Sequence, residues 1–328
     1  MLIYPPEEFD AKRCFKYPFT ATEIFCADCV ILYERIFQSE EFLENFFRYL
    51  DSEGNPIQTG YFSRIFLALL SKGPKVLLTK LKTFSKLVNL IQFRAIGEVI
   101  GKVLALEFNI DEKFLEQRIE LIKRLFVEVH DSGVKAKNAS EVLVNFLLWQ
   151  GEINAGPIIF EYFESDEFLS KVFEGLDNEN ITQVLRALII TGLGGKTYKV
   201  LVLERLSAYL GKIEELLETE ENESRNTLQE SYKVLGKKKL ALIQVIFLAL
   251  QIKNEKFFVV ITQSRVLHCI VKLFWLHEWN SFLHCLFFQI SEVILMGPFL
   301  ELKHLFLDDT GFVKGLISRF ESNPRKKS

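Results

Sequence analysis

The sequence lacks three features that would place it among membrane, secreted or nucleic-acid-binding proteins. Its longest apolar run, at 240–250, is too short for a membrane span and contains Gln244. The first residues contain no apolar signal-peptide core. The net charge is -3, which argues against the clustered basic face that binds nucleic acid. We therefore expect neither a membrane nor a nucleic acid as a partner.

Cysteine is scarce, with five among 328 residues. An odd number of cysteines without a signal peptide favours a reducing compartment over a disulfide framework. We therefore expect the protein in the cytoplasm, with the nucleus as a second compartment. The cysteines are Cys14, Cys26, Cys29, Cys269 and Cys285.

Proline is confined to the breaks between apolar patterns of helical period, because it disrupts a helix interior. Few alternating runs are long enough for strands, so the predicted fold class is all-α. Successive short helices with apolar faces favour an α-solenoid of irregular armadillo/HEAT-like helical repeats over a globular helical bundle. We expect one domain over 1–328, with a mobile acidic/basic loop at about 218–236, because six glutamates lie between Glu214 and Glu223 and three lysines follow at 237–239.

The segment 264–284 predicts two apolar helices joined by a sharp corner. Apolar residues recur at helical spacing before and after Glu278-Trp279-Asn280. Asn280 is a predicted N-cap of the second helix, since its side chain can accept from a first-turn amide. The segment therefore has the features of one unit of a helical stack.

Other helix starts are predicted from capping residues, in which a side chain accepts a hydrogen bond from a first-turn amide. The first of them opens one helix that runs to about Phe37, with Phe19 packed against Ile24. The predicted capping residues are Thr20 with Glu23, Ser39, Asn138 with Glu141, Ser165, and Asn180 with Gln183.

Three short motifs resemble chemistry-bearing patterns, but each lacks a required part. Residues 26–29 form a lone CxxC, which we predict to lie inside a helix. Residues 191–197, TGLGGKT, lack the first glycine of a phosphate loop, because Ile190 stands at that position. Residues 277–281 begin as HExxH and end in Ser281. We therefore predict no catalytic, metal or cofactor site, and a protein that is not an enzyme.

Several stretches, taken in order, resemble the SAPS-domain family, the regulatory subunits of serine/threonine protein phosphatase 6. The first is 13–23, RCFKYPFTATE, which is similar to the family's Arg-Phe-Lys-Tyr-Pro-x-x-Ala-x-Glu pattern with Cys14 as an additional residue. Further matches are at 46–66, 137–140, 235–236 and 273–284. Residues 158–239 match poorly. The family usually has further helices before the first match and an acidic tail after the domain, so we expect a diverged or truncated member.

The resemblance implies a non-catalytic regulatory or scaffold subunit. Such a subunit would bind a type-2A-like (phosphatase 6) serine/threonine phosphatase catalytic subunit and direct it to substrates, with ankyrin-repeat or other adaptor proteins as further partners and no cofactor. The candidate partner-binding residues are Arg13, Phe15, Tyr17 and Trp279. For the three aromatic ones, packing against the core is the favoured interpretation. A generic α-solenoid adaptor unrelated to phosphatase is the alternative function, and a helical enzyme is the third.

Overall fold

The protein is almost entirely helical throughout the residues that the structure, a computed structural model, describes. These residues divide into two compact units, one that ends at Tyr162 and one that begins at Phe163. The predicted all-α solenoid class is confirmed by this succession of helices. The single domain over 1–328 stays a prediction. The described ranges are 16–106, 112–149, 157–193, 199–220, 223–225 and 229–321.

In the first unit, successive helices pack on one another and share a core. Helix α4 contacts α1, α5 and α6, and helix α8 packs on both α6 and α7. Two 3-10 turns, at Arg48–Asp51 and Phe84–Leu90, join these helices. The helices are α1 (Tyr17–Phe25), α2 (Val30–Gln38), α3 (Glu40–Phe47), α4 (Pro56–Lys72), α5 (Pro74–Leu81), α6 (Arg94–Ala105), α7 (Glu112–Val129), α8 (Val134–Trp149) and α9 (Pro157–Glu164).

Phenylalanine fills much of this core. The side chains of Phe62 and Phe66 are fully buried, and the ring centroids of Phe46 and Phe62 are 4.5 Å apart. The hydroxyls of Tyr49 and Thr59 are hydrogen-bonded at 2.8 Å beside them, so the buried tyrosine keeps a partner. Burying one such aromatic side chain contributes about 1.5–3 kcal/mol to folding.

In the second unit, α14 occupies the centre and packs against α11 on one side and α17 on another. Helix α13 contacts α16, and a π-helical turn at Leu305–Asp309 precedes the last helix. The helices are α10 (Asp166–Glu174), α11 (Glu179–Leu193), α12 (Lys199–Ala208), α13 (Leu210–Glu218), α14 (Gly236–Gln251), α15 (Glu255–Gln263), α16 (Val266–Leu276), α17 (Ser281–Met296), α18 (Leu300–His304) and α19 (Phe312–Glu321).

The predicted loop at about 218–236 contains the only strands among the described residues. Strands β1 (Glu223–Arg225) and β2 (Ser231–Lys233) pair antiparallel, with Ser224 opposite Tyr232. Their side chains are mostly exposed, and the mobility of this loop stays a prediction.

Across the described ranges, no single helix is both long and apolar enough to cross a membrane. The bent pair α15 and α16 passes the same test together, on length and composition, with an angle of 67° between the helices.

The predicted single helix from Phe19 to Phe37 is wrong. The structure breaks it after Phe25 and begins α2 at Val30, with Asp28 at a φ of 49°. Residues 26–29, the CxxC motif, therefore lie in the corner and not inside a helix. The Asp28 carboxylate is 2.5 Å from the Lys72 ammonium, which is consistent with a break held by a tertiary contact.

The capping box predicted from Thr20 and Glu23 is also absent. Helix α1 begins earlier, at Tyr17, with a proline in its first turn, because proline fits a helix start without losing a hydrogen bond. The Phe19 and Ile24 side chains, which we predicted to pack together, are 52% and 56% exposed.

Three predicted caps are confirmed. The side chains of Ser39 and Ser165 accept from the amides three residues on, and Asn280 accepts from the Leu283 amide at 3.0 Å. The structure adds two caps of the same kind, Asn55 and Asn254, that we did not predict as such.

The two predicted caps at Asn138 and Asn180 are wrong. Helix α8 begins four residues before Asn138, whose amide donates instead to the carbonyls of Ile91 and Gln92 at 2.9 and 3.1 Å. Helix α11 begins at Glu179, one residue before Asn180. In both cases the chain is already helical where the cap was expected.

Candidate partner-binding surface

The corner between α16 and α17 is fixed by hydrogen bonds on both sides. The His277 amide donates to the Leu273 carbonyl at 3.0 Å and ends α16. Asn280 caps α17 through the Leu283 amide. The His284 ring nitrogen Nε2 lies 3.0 Å from the His277 carbonyl oxygen, which accepts from it and ties the new helix to the end of the old one.

An aromatic cluster supports this corner from beneath. The Phe274 and Phe287 rings stack with centroids 4.1 Å apart, and the Trp275 and Phe312 rings stack at 5.8 Å. The Arg319 guanidinium lies 4.6 Å from the centre of the Trp275 ring, a cation–π distance, and also forms an ion pair with Glu278. The corner is therefore a rigid support for whatever projects from it.

Trp279 projects from the corner with 95% of its side chain exposed. The interpretation of Trp279 as a residue that packs against the core is therefore wrong. An indole is costly to leave in water, and tryptophans in that position are common anchors of protein interfaces. Its role in partner binding stays a prediction.

The exposed apolar surface continues along α17. We use the term outer face of α17 for the exposed side chains of Phe282, Cys285, Phe288, Leu295 and Met296. Phe282 is 76% exposed, Phe288 67% and Met296 82%. Within α17, which is described in full, Glu292 is the one Asp, Glu, Lys or Arg side chain. Large exposed apolar side chains that recur along one face of a helix typically mark an interaction site.

The sequence contained the signal for this face, although we did not use it. The inward residues of α17 predicted from their spacing are all buried: Leu283, Leu286, Phe287, Ile290 and Ile294. Once these residues fix the phase of the helix, the remaining apolar residues fall on the opposite side. An apolar residue out of phase with the core thus indicates a contact outside the unit.

The other candidates belong to the beginning of the chain. Tyr17 is the first residue of α1 and 47% exposed, so it is available at the surface of the first unit. Arg13 and Phe15 lie outside the described residues. The partner-binding roles of all three residues stay predictions.

Two of the three motifs tested for catalysis, at 26–29 and 277–281, lie in the described part of the chain. No group of three or more His, Cys, Asp or Glu residues there is placed to hold a metal ion. In the second of these motifs, His277 is buried. In the first, burial raises the pKa of the Cys26 thiol. Burial also raises the pKa of the Cys269 thiol, to about 11, so neither thiol is activated as a nucleophile. The end of the glycine-rich segment, 194–197, lies outside the described residues.

Comparison with known proteins links the chain to one group of proteins. The chain is 24% identical over 389 aligned positions to serine/threonine-protein phosphatase 6 regulatory subunit 3 of Gallus gallus, with 99% of this chain and 44% of the relative covered. Regulatory subunit 3-A of Xenopus laevis gives the same identity, with 99% and 45% covered. The chain is a relative of phosphatase 6 regulatory subunits. Regulatory subunit 2 of Homo sapiens is 23% identical, with 88% and 34% covered.

The resemblance to the SAPS-domain regulatory subunits is thereby confirmed over nearly the full chain. The chain spans less than half the length of these phosphatase 6 regulatory subunits. No family model matches the chain. No solved structure matches it either.

Proposed function

We propose that the protein is a non-catalytic regulatory subunit that binds a phosphatase 6-type serine/threonine phosphatase catalytic subunit and directs it to substrates. The observation that carries the proposal is the relationship to named regulatory subunits along 99% of the chain. In this proposal the metal ions and the chemistry belong to the partner, and this chain supplies surface. The alternative, an adaptor unrelated to any phosphatase, is not favoured by these relatives.

We further propose that Trp279 and the outer face of α17 contribute to binding of the catalytic subunit. Two features support this assignment. The aromatic cluster and the Asn280 cap hold the corner in place, so little conformational entropy is lost when Trp279 is buried by a partner. Trp279 and Phe282 also combine large exposed area with side chains of few rotamers, as interface anchors do.

A pulldown under gentle conditions tests both parts. The tagged full chain should recover a phosphatase 6-type catalytic subunit, detected by immunoblot and by phosphatase activity in the eluate. Replacing both Trp279→Ala and Phe282→Ala should lower recovery about tenfold or more, the scale of a lost interface hot spot. Tyr232→Ala is a matched control, since Tyr232 is 49% exposed on strand β2, outside this corner.

The outcomes separate the function from the site. If the unmodified chain never recovers a catalytic subunit, the proposed function fails. If the double variant recovers as much as the unmodified chain, the function stands and the assignment to the α17 corner fails.

A further inference from the structure

The first unit contains a groove that the proposed function does not use. It is a cavity of about 410 Å³ between α4, α6 and α8, lined in part by Leu67, Phe146 and Trp149. That volume lies within the range of sites that hold small ligands or a few peptide residues.

The floor of the groove is open because α6 has glycines at 97 and 101, one helical turn apart. A Cβ atom built on Gly101 would meet nothing within 4 Å. A Cβ atom built on Gly97 would lie 3.1 Å from Val142 Cγ2 of α8. Gly97 therefore permits the close approach of α6 and α8, whereas the space above Gly101 is left empty.

The side of the groove offers an apolar wall and an amide. Trp149 ends α8 and is 48% exposed, so one part of its indole remains available to a ligand. Asn145 lies one turn before Trp149 and is exposed, with both a donor and an acceptor on its carboxamide. Such an amide can pair with the backbone of an extended peptide.

The rim of the groove carries three charged side chains on α6. Arg94, Glu98 and Lys102 follow one another at four-residue spacing on α6. Within the described residues, none of the three forms an ion pair. Glu141, on the opposite rim, is 3.9 Å from the Lys137 ammonium and thus has its own counter-ion. The α6 rim therefore presents a positive charge at each end with one negative charge between them.

The distance between the two cationic residues of the rim indicates the length of the peptide that would fit it. Arg94 and Lys102 are eight residues apart, which is about 12 Å along a helix. Four residues of extended chain cover about 13 Å. An acidic side chain at each end of such a segment meets a cation, while Glu98 disfavours an acid between them. The open space above Gly101 begins about 4.5 Å further along the helix than Glu98. A large apolar side chain at the middle position of the peptide can reach it.

We propose that this groove binds an extended peptide of the form acidic-x-apolar-x-acidic. The apolar side chain lies over Gly101 against Trp149, and the two carboxylates pair with Arg94 and Lys102. In a regulatory subunit this groove recruits substrates of the catalytic subunit, and that role alone rests on the proposed function. Peptide binding itself needs no phosphatase.

The test uses the purified full chain and a fluorescein-labelled decapeptide with the core Asp-Ser-Phe-Ser-Asp, followed by fluorescence anisotropy at low salt. We expect saturable binding, and binding at least about tenfold weaker when both aspartates are replaced by lysine. The double variant Arg94→Glu and Lys102→Glu should reverse this preference.

Filling the floor provides a second, independent variant. Gly101→Met should weaken binding of the acidic peptide at least about tenfold, because the new side chain occupies the space above the floor. Gly211→Met on α13 is the matched control, since Gly211 is also a helical glycine with open space at its Cβ position. Thermal unfolding of each variant verifies that it is folded.

Two results would overturn the proposal. One is equal binding of the acidic and the lysine peptide to the unmodified chain. The other is unchanged binding of the acidic peptide to folded Gly101→Met. Because no catalytic subunit is present in this assay, its failure leaves the pulldown result and the proposed function untouched.

Discussion

The groove on α6 and the outer face of α17 are two surfaces of opposite construction. The groove is concave, and its room comes from the side chain that is missing at Gly101. The outer face is convex, and its area comes from aromatic side chains such as Phe282 and Phe288 that remain exposed. One surface selects a ligand by charge and shape, and the other by apolar area.

Both surfaces depart from what folding alone would favour. Glycine inside a helix reduces stability, because its backbone loses more freedom on folding than that of alanine. An exposed phenylalanine side chain does not contribute to stability by packing in the core. Local departures of this kind, in an otherwise consistent helical pattern, are expected at functional positions. The comparison thus predicts that substitutions at either surface affect binding more than stability.

The largest expected effect on stability separates the two faces of α17. Phe287→Ala should lower the free energy of unfolding by about 3–5 kcal/mol, because it empties a buried site among stacked rings. Its neighbour Phe288 is exposed, so Phe288→Ala should change the free energy of unfolding by no more than about 0.5 kcal/mol. Urea unfolding followed by circular dichroism measures both. A large loss for Phe288→Ala would show that the outer face serves the fold and would remove it as an interaction surface.

The sequence predicts the elements that depend on period and on local chemistry. The inward residues of α17 and the Asn280 cap follow from spacing within one helix, and the structure confirms them. The all-α class follows from the same pattern repeated along the chain. These features need no knowledge of what the helices pack against.

Features that depend on distant residues are not predictable in this way. Asn138 fits a cap by its neighbours, yet its side chain binds carbonyls 46 and 47 residues earlier in the chain. The corner at 26–29 includes an ion pair between Asp28 and Lys72, which is 44 residues further along the chain. The groove likewise needs three helices side by side before Gly101 and Trp149 face the same space.

A smaller effect tests whether the corner is rigid enough to present Trp279. Asn280→Ala should lower the free energy of unfolding by about 1 kcal/mol, since the Leu283 amide loses its acceptor. Asn280→Ser restores an acceptor and should recover most of that loss. Chemical denaturation compares the three proteins. If the Asn280→Ala variant is as stable as the unmodified protein, the Asn280 cap does not fix the corner. The proposal that the corner is preorganised for partner binding would then be contradicted.

The smallest expected effect is an increase in stability, from a substitution in the groove. Gly101→Ala should raise the free energy of unfolding by about 0.5–1 kcal/mol, because the position is helical and a Cβ atom meets nothing there. Gly97→Ala should gain less, since its Cβ atom would press on Val142 at 3.1 Å. Denaturation midpoints of the two variants give the comparison directly. Equal gains would mean that α8 yields readily to α6, and a loss at Gly101 would mean that the floor of the groove is not open.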